Sequence, residues 1–296
     1  MSQLPSPQQI RYLLALADAG HFGRAADACA VTQSTLSAGI LALERQLDAA
    51  ILDRGAGKRV VFTAVGTEVV ARARTALLAL QAVADAAAAA RTPLSGPLRL
   101  GVIPTVGPFL LPRLMPVLRS AFPHLRLFVR EDVTTALVDR LGAGQLDLLL
   151  VALPCGCAEA DTLAVLRDEF VVALPRNHRL AARARVPASA LARERMLLLD
   201  DGHCLRDQAL ALCGGAGQEG FAATSVHTLV QMVAGGLGVT LLPRMAVDAG
   251  VASGVDVELR PLGGGSAWRT VGLAWQPGST RADEYRALAP LIAAPG

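Results

Sequence analysis

The chain has 296 residues, enough for about two domains with cores of their own, and 52% of them are hydrophobic. Its most apolar stretches, such as 146–153 and 86–90, are too short or too alanine-based for the ~20 residues of a spanning helix, and Met1-Ser2-Gln3-Leu4-Pro5 lacks the basic start and apolar run of a secretory signal. The expectation is a soluble cytoplasmic protein with no membrane contact; the net charge of +3, almost all arginine because Lys58 is the sole lysine, does not by itself call for nucleic acid.

Ser6-Pro7 can cap and start a helix whose apolar face is Ile10, Leu13, Leu14 and Ala17, broken at Gly20-His21. A short helix over 23–28 leads through Cys29-Ala30-Val31 to Thr32, an N-cap for a third helix with the stripe Leu36, Ile40, Leu43 and Leu47. Two helices joined by a tight turn, the second opening Gln33-Ser34-Thr35-Leu36-Ser37, describe a helix-turn-helix. Gln33 can pair with adenine, while Thr32, Ser34, Thr35 and Ser37 can reach bases or phosphates; an ordinary three-helix bundle with a polar cap fits the same residues. The basic turn after the third helix favours DNA: Asp53-Arg54-Gly55-Ala56-Gly57-Lys58-Arg59 before Val60-Val61-Phe62 reads as a wing offering Arg54, Lys58 and Arg59 to the phosphate backbone.

From Thr63 the positions Val69, Ala73, Ala76, Leu80, Val83 and Ala87 keep heptad spacing, which predicts a long dimerising helix; the alternative is a helix packed on its own domain. Arg91-Thr92-Pro93-Leu94-Ser95-Gly96-Pro97 is a linker by composition. Beyond it, strands at 98–102, 125–130 and 146–151 alternate with helices at 109–122 and 134–141, implying a mainly parallel sheet with its chemistry at the strand ends. Further strands are expected at 170–174, 196–199, 239–242 and 271–275, and a helix capped by Ser225 running to Ala234. Two α/β lobes with a cleft between them are the result.

Asp200-Asp201-Gly202-His203-Cys204-Leu205-Arg206-Asp207-Gln208-Ala209 and then Cys213 set two thiols nine positions apart (213 − 204). Nine residues of helix rise ~13 Å, whereas bridged Cα atoms lie about 4.4–6.8 Å apart. If the segment is helical when reduced, a bond between the two requires the helix to be rebuilt, as in a redox switch; two buried small hydrophobes are the bland alternative. In a reducing compartment such a pair would be transient. A helix N-terminus, Arg206 and a protonated His203 favour the Cys204 thiolate while Asp200 and Asp201 oppose it, so the expectation is a lowered thiol pKa. Cys29 reads as core. Cys155-Gly156-Cys157 raises a metal or a second disulfide, but two thiols without a nearby histidine argue against zinc and no role is assigned. The histidines show no metal-protease spacing, and neither a nucleophile elbow nor a phosphate loop is present, so no metal, cofactor or enzymatic activity is expected.

Along its whole length the sequence resembles the LysR-type transcriptional regulators. The residues that carry this are Ala25-Ala26, Thr32-Gln33-Ser34-Thr35-Leu36-Ser37, Leu43-Glu44 and Phe62-Thr63-Ala64-Val65-Gly66. Residues 202–209 with Cys213, Ile103-Pro104-Thr105-Val106-Gly107-Pro108, Ala223-Thr224-Ser225 and Leu241-Leu242-Pro243 are similar to that family's peroxide-sensing members. The resemblance implies a winged helix-turn-helix over 1–62, a dimerising linker helix and hinge over 63–92, and a two-lobed regulatory domain like a periplasmic binding protein over 93–296. Lobe I takes about 93–167 and 271–296, lobe II about 168–270. It further implies Cys204 as the peroxide-reactive thiol and Cys213 as the resolving one. Thr105 and Thr134 would hold peroxide and water, His203, Arg206 and Asp207 would tune the thiol, and Arg269 would lie near the resolving cysteine. Implied partners are an operator in double-stranded DNA, hydrogen peroxide, a homodimer assembling to a homotetramer, RNA polymerase and a disulfide reductant. Competing readings are a thiol peroxidase, which would have no use for a DNA-binding domain; a solute-binding protein, which should carry an export signal; and a regulator gated by a small metabolite with the cysteines incidental.

Overall fold

The Ser6 hydroxyl accepts the Gln9 amide at 3.2 Å and the Gln9 side chain accepts Ser6 N at 2.8 Å. That reciprocal cap, with Pro7 at the first helical position, starts α1 (Pro7–Ala19). The computed structural model describes residues 4–53, 60–89, 93–213, 222–263 and 267–294, and the chain divides into two units, 1–88 and 89–296.

In the first unit α1 is followed by α2 (Phe22–Ala28), α3 (Gln33–Leu47) and α4 (Ala64–Ala89). Leu13, Leu16, Leu36, Ile40, Leu43 and Ile51 form the centre of its core. Ala17 of the expected stripe is only half-buried, because Tyr12 and Leu16 take that side of α1. Cys29 packs half-buried against this core from the end of α2. Gly66 lets α4 start directly against the preceding loop: a Cβ there would sit 2.1 Å from the Ile51 carbonyl oxygen. A bridge between Leu52 and Phe62 closes the base of the expected wing, while Arg54, Lys58 and Arg59 lie outside the described residues.

The heptad stripe of α4 divides in two. Val69, Ala73 and Ala76 pack on the core of their own unit, so the first half of the stripe is not a free dimer seam. Leu80 and Val83 are 44% and 71% exposed.

In the second unit the elements are β1 (Gly96–Val102), α5 (Gly107–Ala121), β2 (Leu125–Glu131), α6 (Thr134–Gly142), β3 (Leu148–Leu153), β4 (Asp161–Pro175), β5 (Val186–Pro187), α7 (Ala188–Leu191), β6 (Leu198–Leu199), α8 (Cys204–Leu212), β7 (Ala222–Ala223), α9 (Val226–Ala234), β8 (Thr240–Pro243), α10 (Arg244–Asp248), β9 (Val257–Gly263), β10 (Trp268–Trp275) and α11 (Ala282–Ala293). The main sheet runs β2-β1-β3-β10-β4-β9-β5, with β8 also paired to β4. The mainly parallel expectation holds only for β2-β1-β3; β10 is antiparallel to both β3 and β4, and β4 to β8 and β9. The late strands return through the sheet instead of crossing over it, and that makes it mixed. β4 and β10 run through both halves of this unit, which hold separate cores. One is built on Leu98, Leu110, Leu137, Leu148 and Leu273, the other on Val172, Leu191, Leu205, Leu229 and Leu241.

Glu44 supports the first unit from inside. It is buried, and its Oε1 accepts the amides of Ile51 at 2.9 Å and Leu52 at 3.0 Å. Glu44→Ala leaves two buried donors unpaired and should cost about 1–3 kcal/mol, read as an earlier urea midpoint of the helix-turn-helix unit; Glu44→Gln, which keeps the acceptor, should lose less.

Candidate functional site

Cys204 is the first residue of α8, preceded by an extended His203 at the N-cap that offers no side-chain cap bond. The turn before it uses Gly202 at φ +89°, a conformation suited to glycine. The open amides of the helix start therefore face the sulfur, and backbone N–H groups of Cys204 and Leu205 both act to lower its pKa. Thr134, the first residue of α6, brings its hydroxyl to the same thiol and also lowers the pKa. That hydroxyl is buried and finds no partner of full hydrogen-bond geometry among the described residues.

Across from it stands a fully buried arginine. Arg269 donates from Nε to Asp168 Oδ2 at 2.9 Å, from Nη1 to Thr105 Oγ1 at 2.8 Å and from Nη2 to the Thr105 carbonyl at 2.8 Å. Asp168 uses its other oxygen to accept the Met245 amide at 2.9 Å. β4, β10, the loop after β1 and the start of α10 are thus tied at one point. Arg269 is also the charge that acts most strongly on the Cys204 thiolate. Burial outweighs all these favourable contacts and pushes the thiol up from its ordinary value.

Cys213 caps the other end of α8 and is buried, which pushes its thiol up as well. The helix between the two is continuous, so their Cα atoms stand ~13 Å apart, beyond disulfide reach. The two thiols also belong to different cores: Cys213 lies with Leu205 and Ala209 in the lobe II cluster, whereas Cys204 packs against the lobe I cluster.

On the first unit, Thr32 caps α3 by accepting the Thr35 amide at 3.2 Å, and its hydroxyl meets those of Ser34 at 2.9 Å and Thr35 at 2.8 Å. Thr32, Gln33, Ser34, Thr35 and Ser37 are all exposed along one helix start, the arrangement a recognition helix needs.

A model of the bacterial regulatory helix-turn-helix protein, lysR family, matches residues 7–67, and one of the LysR substrate binding domain matches residues 91–294. The chain belongs to the LysR family of regulators. It is 41% identical to a probable hydrogen peroxide-inducible genes activator of Streptomyces viridosporus, over 97% of this chain and 93% of that one. It is 40% identical to the DNA-binding transcriptional dual regulator OxyR of Escherichia coli K12, over 97% and 94% respectively. Among solved structures, a full-length OxyR cysteine variant from Pseudomonas aeruginosa superposes with TM-score 0.82 at 36% identity, covering 99% of each chain. A hydrogen-peroxide-bound OxyR cysteine mutant from Corynebacterium glutamicum gives 0.68 at 30% identity, covering 99% of this chain and 93% of that one.

Within this LysR-type chain several sequence expectations need correction. The Cys204 pKa is raised, not lowered, because the thiol is buried. Arg206 does not supply the activating charge: it pairs with Asp201 at 3.0 Å and donates to the Leu199 carbonyl at 3.1 Å. His203 is no cation at neutral pH, since burial lowers its pKa against the opposing pull of Asp200 and Glu131. Asp207 is exposed in the first turn of α8. Arg269 faces Cys204 and Thr105; its action is on the first thiol and not, as expected, on the second. Cys155 and Cys157 are joined in a disulfide.

Two residues escaped the sequence reading. Asp168 sits in a strand 101 positions from Arg269, a pairing no local pattern reveals. Gln208, one turn after Cys204, buries its Oε1 with no partner among the described residues. A polar residue at i+4 from the thiol was the available signal.

Because burial holds Cys204 protonated, its alkylation rate should stay low at pH 7 and rise only above the ordinary thiol range. Arg269→Met should move that profile still higher and, by stranding Asp168, cost about 3–5 kcal/mol of stability. Adding Asp168→Leu should recover much of the stability but not the profile. A pH–rate curve of iodoacetamide labelling at Cys204, read by peptide mass, checks both.

Proposed function

We propose that this regulator senses hydrogen peroxide through Cys204 and Cys213 and alters its hold on an operator in double-stranded DNA. The observation that carries the reading is a thiol at a helix start, set between the orphan Thr134 hydroxyl and the Arg269–Thr105 pair. A peroxide molecule is small enough to take the hydrogen bond that Thr134 leaves unused. The peroxide-bound relative from Corynebacterium glutamicum supports the same assignment.

Attack by the Cys204 sulfur breaks the O–O bond and gives sulfenic acid and water, the thiol proton leaving with the departing hydroxide. Arg269 and the helix amides stabilise the negative charge that the sulfur carries as its proton leaves. The Cys213 thiol then displaces hydroxide from that sulfur, forming the disulfide and a second water. Since α8 holds the two apart, this step requires Leu205, Ala209 and Cys213 to leave the lobe II core. Reduced and oxidised forms therefore differ in fold over this segment, and a disulfide reductant resets the switch.

At the DNA end, Gln33 with Thr32, Ser34, Thr35 and Ser37 reads the major groove, and Arg54, Lys58 and Arg59 hold the backbone. Exposed Leu80 and Val83 on α4 fit a homodimer contact, the dimers pairing to a homotetramer that engages RNA polymerase when it activates. No described helix is long and apolar enough to cross a membrane, in keeping with a cytoplasmic regulator.

One equivalent of hydrogen peroxide should remove two thiols and yield a Cys204–Cys213 peptide, and Cys204→Ser should abolish the change in DNA footprint. A pair that stays reduced while footprinting responds to a small metabolite would reject the reading. Gln33→Ala should weaken operator binding by about 1–3 kcal/mol while leaving nonspecific binding nearly unchanged; a gel-shift series on operator and scrambled DNA separates the two.

A further inference from the structure

The connection from β3 to β4 holds a second pair of sulfur atoms that peroxide sensing at Cys204 does not use. Cys155 and Cys157 are bonded across a single residue, with Cα atoms 5.2 Å apart. Gly156 between them has φ +68°, and a side chain built there would meet nothing within 4 Å, so the turn faces open space. The two sulfurs are unequal: Cys155 is half-buried, while Cys157 is 9% exposed and belongs to the lobe I core. Beside them lies a cavity of about 410 Å³ lined by Val138, Leu141, Gly156, Cys157 and Gln276, within the size range of small-ligand sites. It adjoins the last turn of α6, whose first residue, Thr134, touches Cys204. The helix length, ~12 Å, separates the two sulfur sites. A bridge across one residue closes too short a loop to restrict the unfolded chain much, so a structural staple is the weaker explanation.

We propose that Cys155 and Cys157 are a second dithiol–disulfide couple that exchanges with low-molecular-weight thiols and disulfides. In the oxidising direction the Cys155 thiolate attacks one sulfur of a small disulfide. That S–S bond breaks, one thiolate leaves, and a mixed disulfide remains on Cys155. The Cys157 thiolate then attacks the Cys155 sulfur and expels the second thiolate. Two protein thiols are oxidised, one small disulfide is reduced to two thiols, and the two cysteine protons end on those products. Excess small thiol runs the sequence backwards. The more open Cys155 is the entry sulfur and the buried Cys157 the resolving one.

The test equilibrates the full-length protein in glutathione buffers of increasing glutathione-disulfide fraction, quenches with an alkylating agent and maps peptides by mass. The Cys155–Cys157 bridge should grow through a single midpoint, equally in the wild type and in Cys204→Ser, so that failure of the sensing assignment leaves this result standing. Cys157→Ser should retain one glutathione on Cys155, and Cys155→Ser should leave Cys157 unmodified; circular dichroism checks that both variants fold. Two free thiols throughout the series in the wild-type chain, or adducts on Cys157 as readily as on Cys155, would overturn the proposal.

Discussion

The buried pair Arg269–Asp168 is the constraint on which the regulatory unit depends. Both side chains are essentially without solvent, so neither charge survives the loss of the other cheaply. Their remaining hydrogen bonds go to Thr105 and to the Met245 amide, and those bonds fix the loop after β1 and the start of α10 against the two strands that run through both lobes. A desolvated ion pair is a poor source of net stability, because removing both charges from water costs nearly what their attraction returns. Its value lies in geometry. The guanidinium can satisfy its donors in one arrangement only, and that arrangement puts a fixed positive charge in front of Cys204.

α8 turns this fixed site into one that can change. One edge of the helix, Leu205 and Ala209 with Cys213, belongs to one core, and its first side chain rests on another. As long as the helix is intact, the two sulfurs are held about one helix length apart and the reduced state is protected against bridging. Oxidation at the first sulfur changes that balance, because a covalent bond becomes available to offset the apolar surface that α8 gives up. A helix shared between two cores is suited to such a choice, since leaving one of them does not dismantle the other.

Much of this was legible in the sequence where the cause is local. Ser6, Thr32 and Ser225 announced their helices because an N-cap acts within three residues, and the structure shows each accepting the expected amide. The cysteine spacing stated its own incompatibility with a helical disulfide. What was not legible depends on partners far away in the chain. The first half of β4 alternates with solvent too weakly to stand out, β9 carries Glu258, Arg260 and Pro261, and the mixed sense of the sheet comes from where β10 returns. The thiol pKa was misjudged for the same reason. Arg206 and His203 are adjacent in sequence and look like activators, whereas the charge that matters comes from Arg269 and the opposing burial comes from the whole lobe interface.

That last error bears on how the site would discriminate. A thiol activated simply by lowering its pKa reacts with any electrophile that reaches it, including the disulfides and oxidised thiols that surround it in a cell. Burial has the opposite effect: it keeps Cys204 protonated and shields it, so that a bulky oxidant meets neither a thiolate nor an opening. Reaction then depends on an oxidant small enough to enter beside Thr134 and able to accept the thiol proton as its own bond breaks. Hydrogen peroxide meets both conditions. The helix amides and Arg269 assist only as negative charge develops on the sulfur, which is where electrostatic help speeds a reaction without making the resting group promiscuous. The raised pKa is thus consistent with sensing, and it locates the specificity in the shape and hydrogen bonding of the site and not in the intrinsic reactivity of the cysteine.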